Sequence, residues 1–144
     1  MPVMKTSIRA KSENPTKTVV EANTFKMIID EPESLGGTNE GATPVEYLLG
    51  ALSGCLNVVC HGIAAEMGFT LNSVEFLIEG DLDPAKFKGL SDEGRAGFME
   101  IRATIIADTD ASEEVLQDWL ERVKSRCPVS DNIANVTPVK ISLK

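Results

Sequence analysis

The chain has 144 residues, 42% hydrophobic and 25% charged, which describes one globular domain over 1–144 able to bury a core without disulfide or metal staples. Its net charge of −8 excludes non-specific nucleic-acid binding, which needs Lys and Arg to neutralise phosphates. No purely apolar run reaches membrane-spanning length and the N-terminus MPVMKTSIRAKSE is too polar for an export signal, so no membrane partner and a cytoplasmic setting are expected.

Short strands are predicted first, at Ser7 to Lys11, Thr16 to Glu21 and Phe25 to Ile29, the first two flanking the turn Glu13-Asn14-Pro15. From Asp30 to Thr43 the composition shifts to EPESLGGTNEGAT, a loop. Thr43-Pro44-Val45-Glu46 has the form of a helix start: Thr as N-cap, Pro at the first helical position and Glu in the first turn. The helix runs to Met67 with no charged residue between Glu46 and Glu66, and its leucines, valines and isoleucine point in several directions around the cylinder. A helix apolar on most sides is a buried central helix. At about 35 Å long, it calls for a second chain to help cover it. Gly68 terminates it.

Two long strands follow, Leu71 to Leu82 and Gly97 to Ala107, with the polar stretch Asp83 to Ala96 as their hairpin loop. In the second, Met99, Ile101, Ala103 and Ile105 alternate with Phe98, Glu100, Arg102 and Thr104, a half-buried antiparallel pattern. Asp110-Ala111-Ser112-Glu113 opens a second helix whose apolar stripe is Val115, Leu116, Trp119, Leu120 and Val123. Cys127-Pro128 stops it, because proline disfavours helical geometry in the residue before it. Thr137 to Leu143 is the last predicted strand. This order is α+β, with helices packed on a mainly antiparallel sheet.

The stretch SGCLNVVCH holds Cys55, Cys60 and His61, two of the three cysteines and the lone histidine. On a helix, Cys60 lies about 140° around from Cys55 and His61 about 120° on the other side. They do not converge, so no metal site is expected, and Cys55 and Cys60 cannot form a disulfide on a straight helix. Cys60 reads as a small buried hydrophobe and His61 as a residue near a helix end. Cys55 sits among small and apolar neighbours, while Cys127 lies in SRCPVS where a helix breaks. Two readings stay open for them: inert core thiols, or a buried thiol facing a mobile one, as in peroxide-reducing pairs.

Thr43-Pro44-Val45-Glu46-Tyr47-Leu48-Leu49 through Ala51-Leu52-Ser53-Gly54-Cys55-Leu56 resembles the central-helix motif of the OsmC/Ohr family, the osmotically inducible and organic hydroperoxide resistance proteins. Cys127-Pro128-Val129-Ser130 is similar to that family's second-cysteine motif. The glycine-rich loop and the element order agree, so the resemblance covers nearly the whole chain. It implies an OsmC-like α+β fold with a long buried central helix and a second helix, assembled as an intertwined homodimer. It also implies thiol-dependent reduction of organic hydroperoxides, with Cys55 as peroxidatic thiol, Cys127 as resolving thiol, a dithiol reductant and no cofactor.

The chain departs from the family's peroxidase branch at the activating residues. That branch places a glutamate directly after the helix-starting proline, paired with an arginine aimed at the thiolate. Here Val45 follows Pro44 and Glu46 comes one position later, about 180° around the helix from Cys55. Glu46 also reads as a first-turn acid complementing the helix dipole. Arg9 on the first strand is the leading candidate for the arginine, with Arg102 and Arg126 behind it. The alternative function is a non-catalytic OsmC-like dimer that binds an apolar small molecule.

Overall fold

The computed structural model describes residues 1–144, which divide into two compact units, Met1–Gly50 and Ala51–Lys144. The first holds an antiparallel three-stranded sheet in the order β1 (Arg9–Ser12), β2 (Thr18–Ala22), β3 (Phe25–Ile29). Register is set by a turn at each end. Asn14 Oδ1 accepts from the backbone N–H groups of Thr16 and Lys17 at 2.9 and 2.7 Å, closing the first. Asn23 adopts a left-handed φ of 55° in the second, which pairs Ala22 with Phe25. Val20 is the buried residue of this sheet.

The loop after β3 contains a single 3-10 turn, Glu33–Leu35, and is built around Asp30. That side chain is fully buried, and its carboxylate accepts from Thr16 Oγ1, Thr38 Oγ1 and the backbone N–H groups of Glu31, Thr38 and Glu40. Burial pushes its pKa up, but the donors of Thr38, Glu31, Thr16 and Glu40 outweigh burial and hold the carboxyl well below its ordinary value. Gly37 fits close against this loop, where a Cβ would stand 1.8 Å from the Glu31 carbonyl oxygen. The loop composition is evident from the sequence; the buried carboxylate at its centre is not.

Helix α1 spans Pro44–Met67, the limits expected from Thr43-Pro44 and Gly68, whose φ is +77°. The Thr43 hydroxyl accepts the Glu46 N–H at 3.3 Å, and Tyr47 Oη donates to the Ile28 carbonyl at 2.7 Å. Within the single chain the helix is buried along one side. Leu52, Leu56, Cys60, Ile63 and Ala64 form one buried stripe, whereas Val45, Leu48 and Val58 are exposed, Val58 at 71%. The reason is that this chain supplies protein to only one face. By length and composition the helix is long and apolar enough to cross a bilayer, although its glycines and polar residues interrupt any purely apolar run.

In the second unit β4 (Leu71–Asp81) and β5 (Glu100–Thr109) form an antiparallel hairpin with an irregularity at Leu71/Ser73. β5 starts later than predicted. Phe98 lies over Gly80, where a Cβ would meet its ring at 2.7 Å, and the Met99 N–H bonds the Asp81 carbonyl at 2.7 Å. Helix α2 spans Glu113–Arg126, with the Ser112 hydroxyl accepting the Val115 N–H as its cap. Trp119 and Val123 meet the α1 stripe, and Phe76, Ile78, Ile101, Ile105 and Ala107 close the core from the sheet. Phe69 and Trp119 stack edge to face with ring centroids 6.0 Å apart.

Two features correct the sequence reading. A third helix, α3 (Pro128–Ala134), follows at once, with Cys127 ending α2 and capping α3. Proline ends one helix and, at N1, starts the next. The predicted strand at Thr137–Leu143 is not formed. Its period-two apolar pattern is real, yet no strand of this chain pairs with it, and Val136, Val139, Ile141 and Leu143 are 97, 78, 93 and 100% exposed.

Candidate thiol site

Cys55 is half-buried on α1 and Cys127 is fully buried at the α2–α3 junction, so 72 residues of chain separate two side chains whose sulfurs lie 3.1 Å apart. Both thiols are free. The Cys127 S–H donates to Cys55 Sγ, and Cys127 Sγ accepts the Ser130 N–H at 3.4 Å. This junction is extended, with Cys127 at φ −82° and ψ 109°, and so directs its side chain toward α1 rather than along α2. Burial, followed by the hydrogen bond to Cys55, raises the Cys127 pKa, only partly countered by the backbone N–H groups of Ser130 and Val129. At neutral pH Cys127 therefore keeps its proton and Cys55 is the acceptor. A disulfide needs the sulfurs about 1 Å closer.

Cys60 is also fully buried, and its carbonyl accepts Trp119 Nε1–H at 3.0 Å. Burial, with a smaller contribution from Cys127, pushes its thiol up to about 11. Its place in the core agrees with its reading as a small hydrophobe. His61 lies on the exposed side of α1. No group of three His, Cys, Asp or Glu side chains is arranged to hold a metal ion.

The candidate activating residues divide between the two units. Arg9 is exposed on β1, in register with Glu21, and Glu46 is exposed in the first turn of α1; both belong to the Met1–Gly50 unit. In the thiol-bearing unit, Arg102 forks onto Asp81 at 2.6 and 3.0 Å, with Glu100 at 2.6 Å and Glu79 at 3.1 Å. Arg126 forks onto Glu66 at 2.6 and 3.0 Å. Both guanidiniums are spent on carboxylates. An open groove of about 470 Å³ lies on the β4–β5 face, lined by Phe76, Leu77, Ile78, Glu79, Arg102 and Thr104 and by neither Cys55 nor Cys127. The sequence reading missed the Glu66–Arg126 pair, whose partners are sixty positions apart.

The OsmC-like protein family model matches residues 37–142. An OsmC-like protein from Mycoplasma pneumoniae has a similar solved structure, with a TM-score of 0.81, 21% identity, and 92% of this chain and 89% of that one covered. The organic hydroperoxide resistance protein OsmC of Legionella pneumophila gives a TM-score of 0.64 at 16% identity, covering 92% and 91%. An organic hydroperoxide resistance protein of Elizabethkingia anophelis, solved with thiocyanate bound, gives 0.65 at 16% identity, covering 90% and 88%. At these identities the likeness is one of fold. Among curated proteins none matches the chain.

Proposed function

The chain belongs to the OsmC-like protein family, and from that premise we propose that it is a cytoplasmic thiol peroxidase of one domain, 1–144, reducing organic hydroperoxides through Cys55 and Cys127. The observation that carries this reading is the 3.1 Å approach of the two sulfurs. Cys55, the more accessible thiol and the hydrogen-bond acceptor, attacks the distal peroxide oxygen as thiolate. The O–O bond breaks, the alkoxide takes a proton and leaves as alcohol, and Cys55 becomes a sulfenic acid. Cys127 sulfur then displaces hydroxide from Cys55 sulfur, and the Cys127 thiol proton leaves with it as water. The disulfide now holds the two electrons' worth of oxidation, and an external dithiol reverses it by exchange.

Thiol titration after one equivalent of cumene hydroperoxide tests this. Two thiols per chain are expected to disappear, with Cys60 untouched and peptide mapping joining Cys55 to Cys127. Three free thiols and unconsumed peroxide would sink the reading. An apolar molecule co-purifying in the β4–β5 groove, with all thiols still free, would favour the binding-module alternative instead.

A second copy of the chain completes this reading. Val58 and Leu48 on α1 are exposed, a Cβ added at Gly54 or Gly62 would meet no neighbour, and the tail offers Val139, Ile141 and Leu143 with strand periodicity. Apolar surface in this quantity on an otherwise acidic chain supports a homodimer that covers α1 and pairs the tail strand. Deleting residues 136–144 is expected to convert a dimer to monomer or aggregate in size-exclusion chromatography with light scattering. A wild-type chain that is monomeric at micromolar concentration would overturn the dimer.

A further inference from the structure

The resolving thiol has no helix of its own to stand on. Cys127 is the extended residue between α2 and α3, so its position follows from where α2 ends and α3 begins. Trp119 and Val123 hold the body of α2 against α1 by packing and by the Trp119–Cys60 hydrogen bond. Val123 is the last α2 side chain in this core, four residues before Cys127, and beyond the junction Val129 and Ile133 pack against the same core. The residue next to Cys127 is Arg126, and its guanidinium makes a two-pronged bond to the Glu66 carboxylate, 2.6 and 3.0 Å, across sixty positions of sequence. Glu66 stands on α1, the helix that carries Cys55. It lies eleven residues beyond that thiol, about 16 Å along the axis.

We propose that the Glu66–Arg126 pair is the positioning clamp for resolution: it fixes the end of α2 to the helix of Cys55 and so presents Cys127 to the Cys55 sulfenic acid. This rests on the disulfide mechanism above. The pair lies too far along α1 to activate Cys55 itself, and its guanidinium is saturated by carboxylate oxygens. Its effect therefore belongs to the second step alone. In that step Cys127 sulfur bonds to Cys55 sulfur, hydroxide departs, and the thiol proton accompanies it as water. The pair is bidentate, the geometry in which an Arg–carboxylate contact gives orientation as well as energy. Opposite shifts of its two partners agree with this, the mutual hydrogen bond lowering the pKa of Glu66 and raising that of Arg126.

The test separates the two steps in the full-length protein. Glu66→Gln and Arg126→Gln are expected to form Cys55 sulfenic acid at the wild-type rate, read by stopped-flow peroxide consumption. Each is expected to close the disulfide about threefold to tenfold more slowly, the range an exposed but bidentate pair supplies. Dimedone capture at Cys55 rises by the same factor, and the exchanged double variant, Glu66→Lys with Arg126→Glu, recovers part of the loss. Closure at the wild-type rate in both single variants, or equal slowing of both steps, overturns the clamp. If the wild type forms no sulfenic acid, the peroxidase reading falls instead. The clamp is then judged with diamide, which takes two electrons and two protons from the thiol pair. Slower diamide closure in the variants upholds the clamp, and unchanged closure ends it.

Discussion

Asp30 and Cys127 are both buried and both ionisable, yet the chain treats them in opposite ways. Around Asp30, two hydroxyls and three backbone N–H groups converge on the carboxylate, so the charge is fully satisfied in place. Around Cys127 there is little beyond the backbone N–H groups of Ser130 and Val129 and a second thiol. The first arrangement lowers a pKa; the second raises a pKa and leaves a second sulfur 3.1 Å away, the pair that the proposed disulfide joins. A buried ionisable group is a strut when its neighbours are donors, and on the mechanism proposed above it is a reagent when its neighbour is another nucleophile.

The contrast breaks most sharply at the thiols. Cys55→Ser is expected to lower hydroperoxide turnover by at least about a hundredfold, since a hydroxyl at neutral pH offers almost no anion to attack O–O. Cys127→Ser is expected to keep the first turnover and lose the later ones, with a Cys55 sulfenic acid that dimedone captures. Peroxide consumption under a dithiol reductant measures both. Cys55→Ser turning over like the wild type would remove the assignment.

At Asp30 the effect falls on folding instead. Asp30→Ala strands five donors that the carboxylate now satisfies, and is expected to lower Tm by roughly 5–10 °C in differential scanning calorimetry. Asp30→Asn retains part of the network and falls between. The pH dependence has a fixed sign. Because the folded carboxyl lies below its unfolded value of 3.8, its stabilisation is complete above that value and drains away as pH falls through the folded pKa. The slope of Tm against pH below about 4 should therefore be shallower in Asp30→Asn than in the wild type. Identical slopes would show that the carboxylate is not the strut.

Much of this architecture was legible because its signals are local. Thr43-Pro44 and Gly68 bracket α1, Ser112 caps α2, and the alternation through Ile101 and Ile105 marks the core face of β5. The misses share a different cause. Pro128 marks a stop by its effect on the preceding residue, but the same residue at N1 also begins α3. The tail carries strand periodicity, but periodicity says nothing about who supplies the neighbouring strand, and here this chain does not. Asp30 and the Glu66–Arg126 pair depend on donors and acceptors brought together by folding, up to sixty positions apart. The thiol pair was found because two cysteine motifs stood in the right order, not because spacing alone brings Cys55 to Cys127.

Cys60 sharpens the comparison at its smallest scale, as a buried thiol belonging to neither class. It has no converging donors like those of Asp30 and no thiol in bonding contact like that of Cys127, and burial holds it protonated near 11. Its work is packing beneath Trp119, whose indole N–H bonds the Cys60 carbonyl rather than the side chain. That hydrogen bond survives Cys60→Ala, which removes one sulfur atom from a closed core and is expected to cost about 1 kcal/mol, measured by urea denaturation. Peroxide turnover and the rate of disulfide closure should remain at wild-type values. If closure instead slowed with Cys60→Ala while stability held, Cys60 would have to be counted with the reacting thiols, and a buried cysteine without a bonding partner could no longer be read as inert.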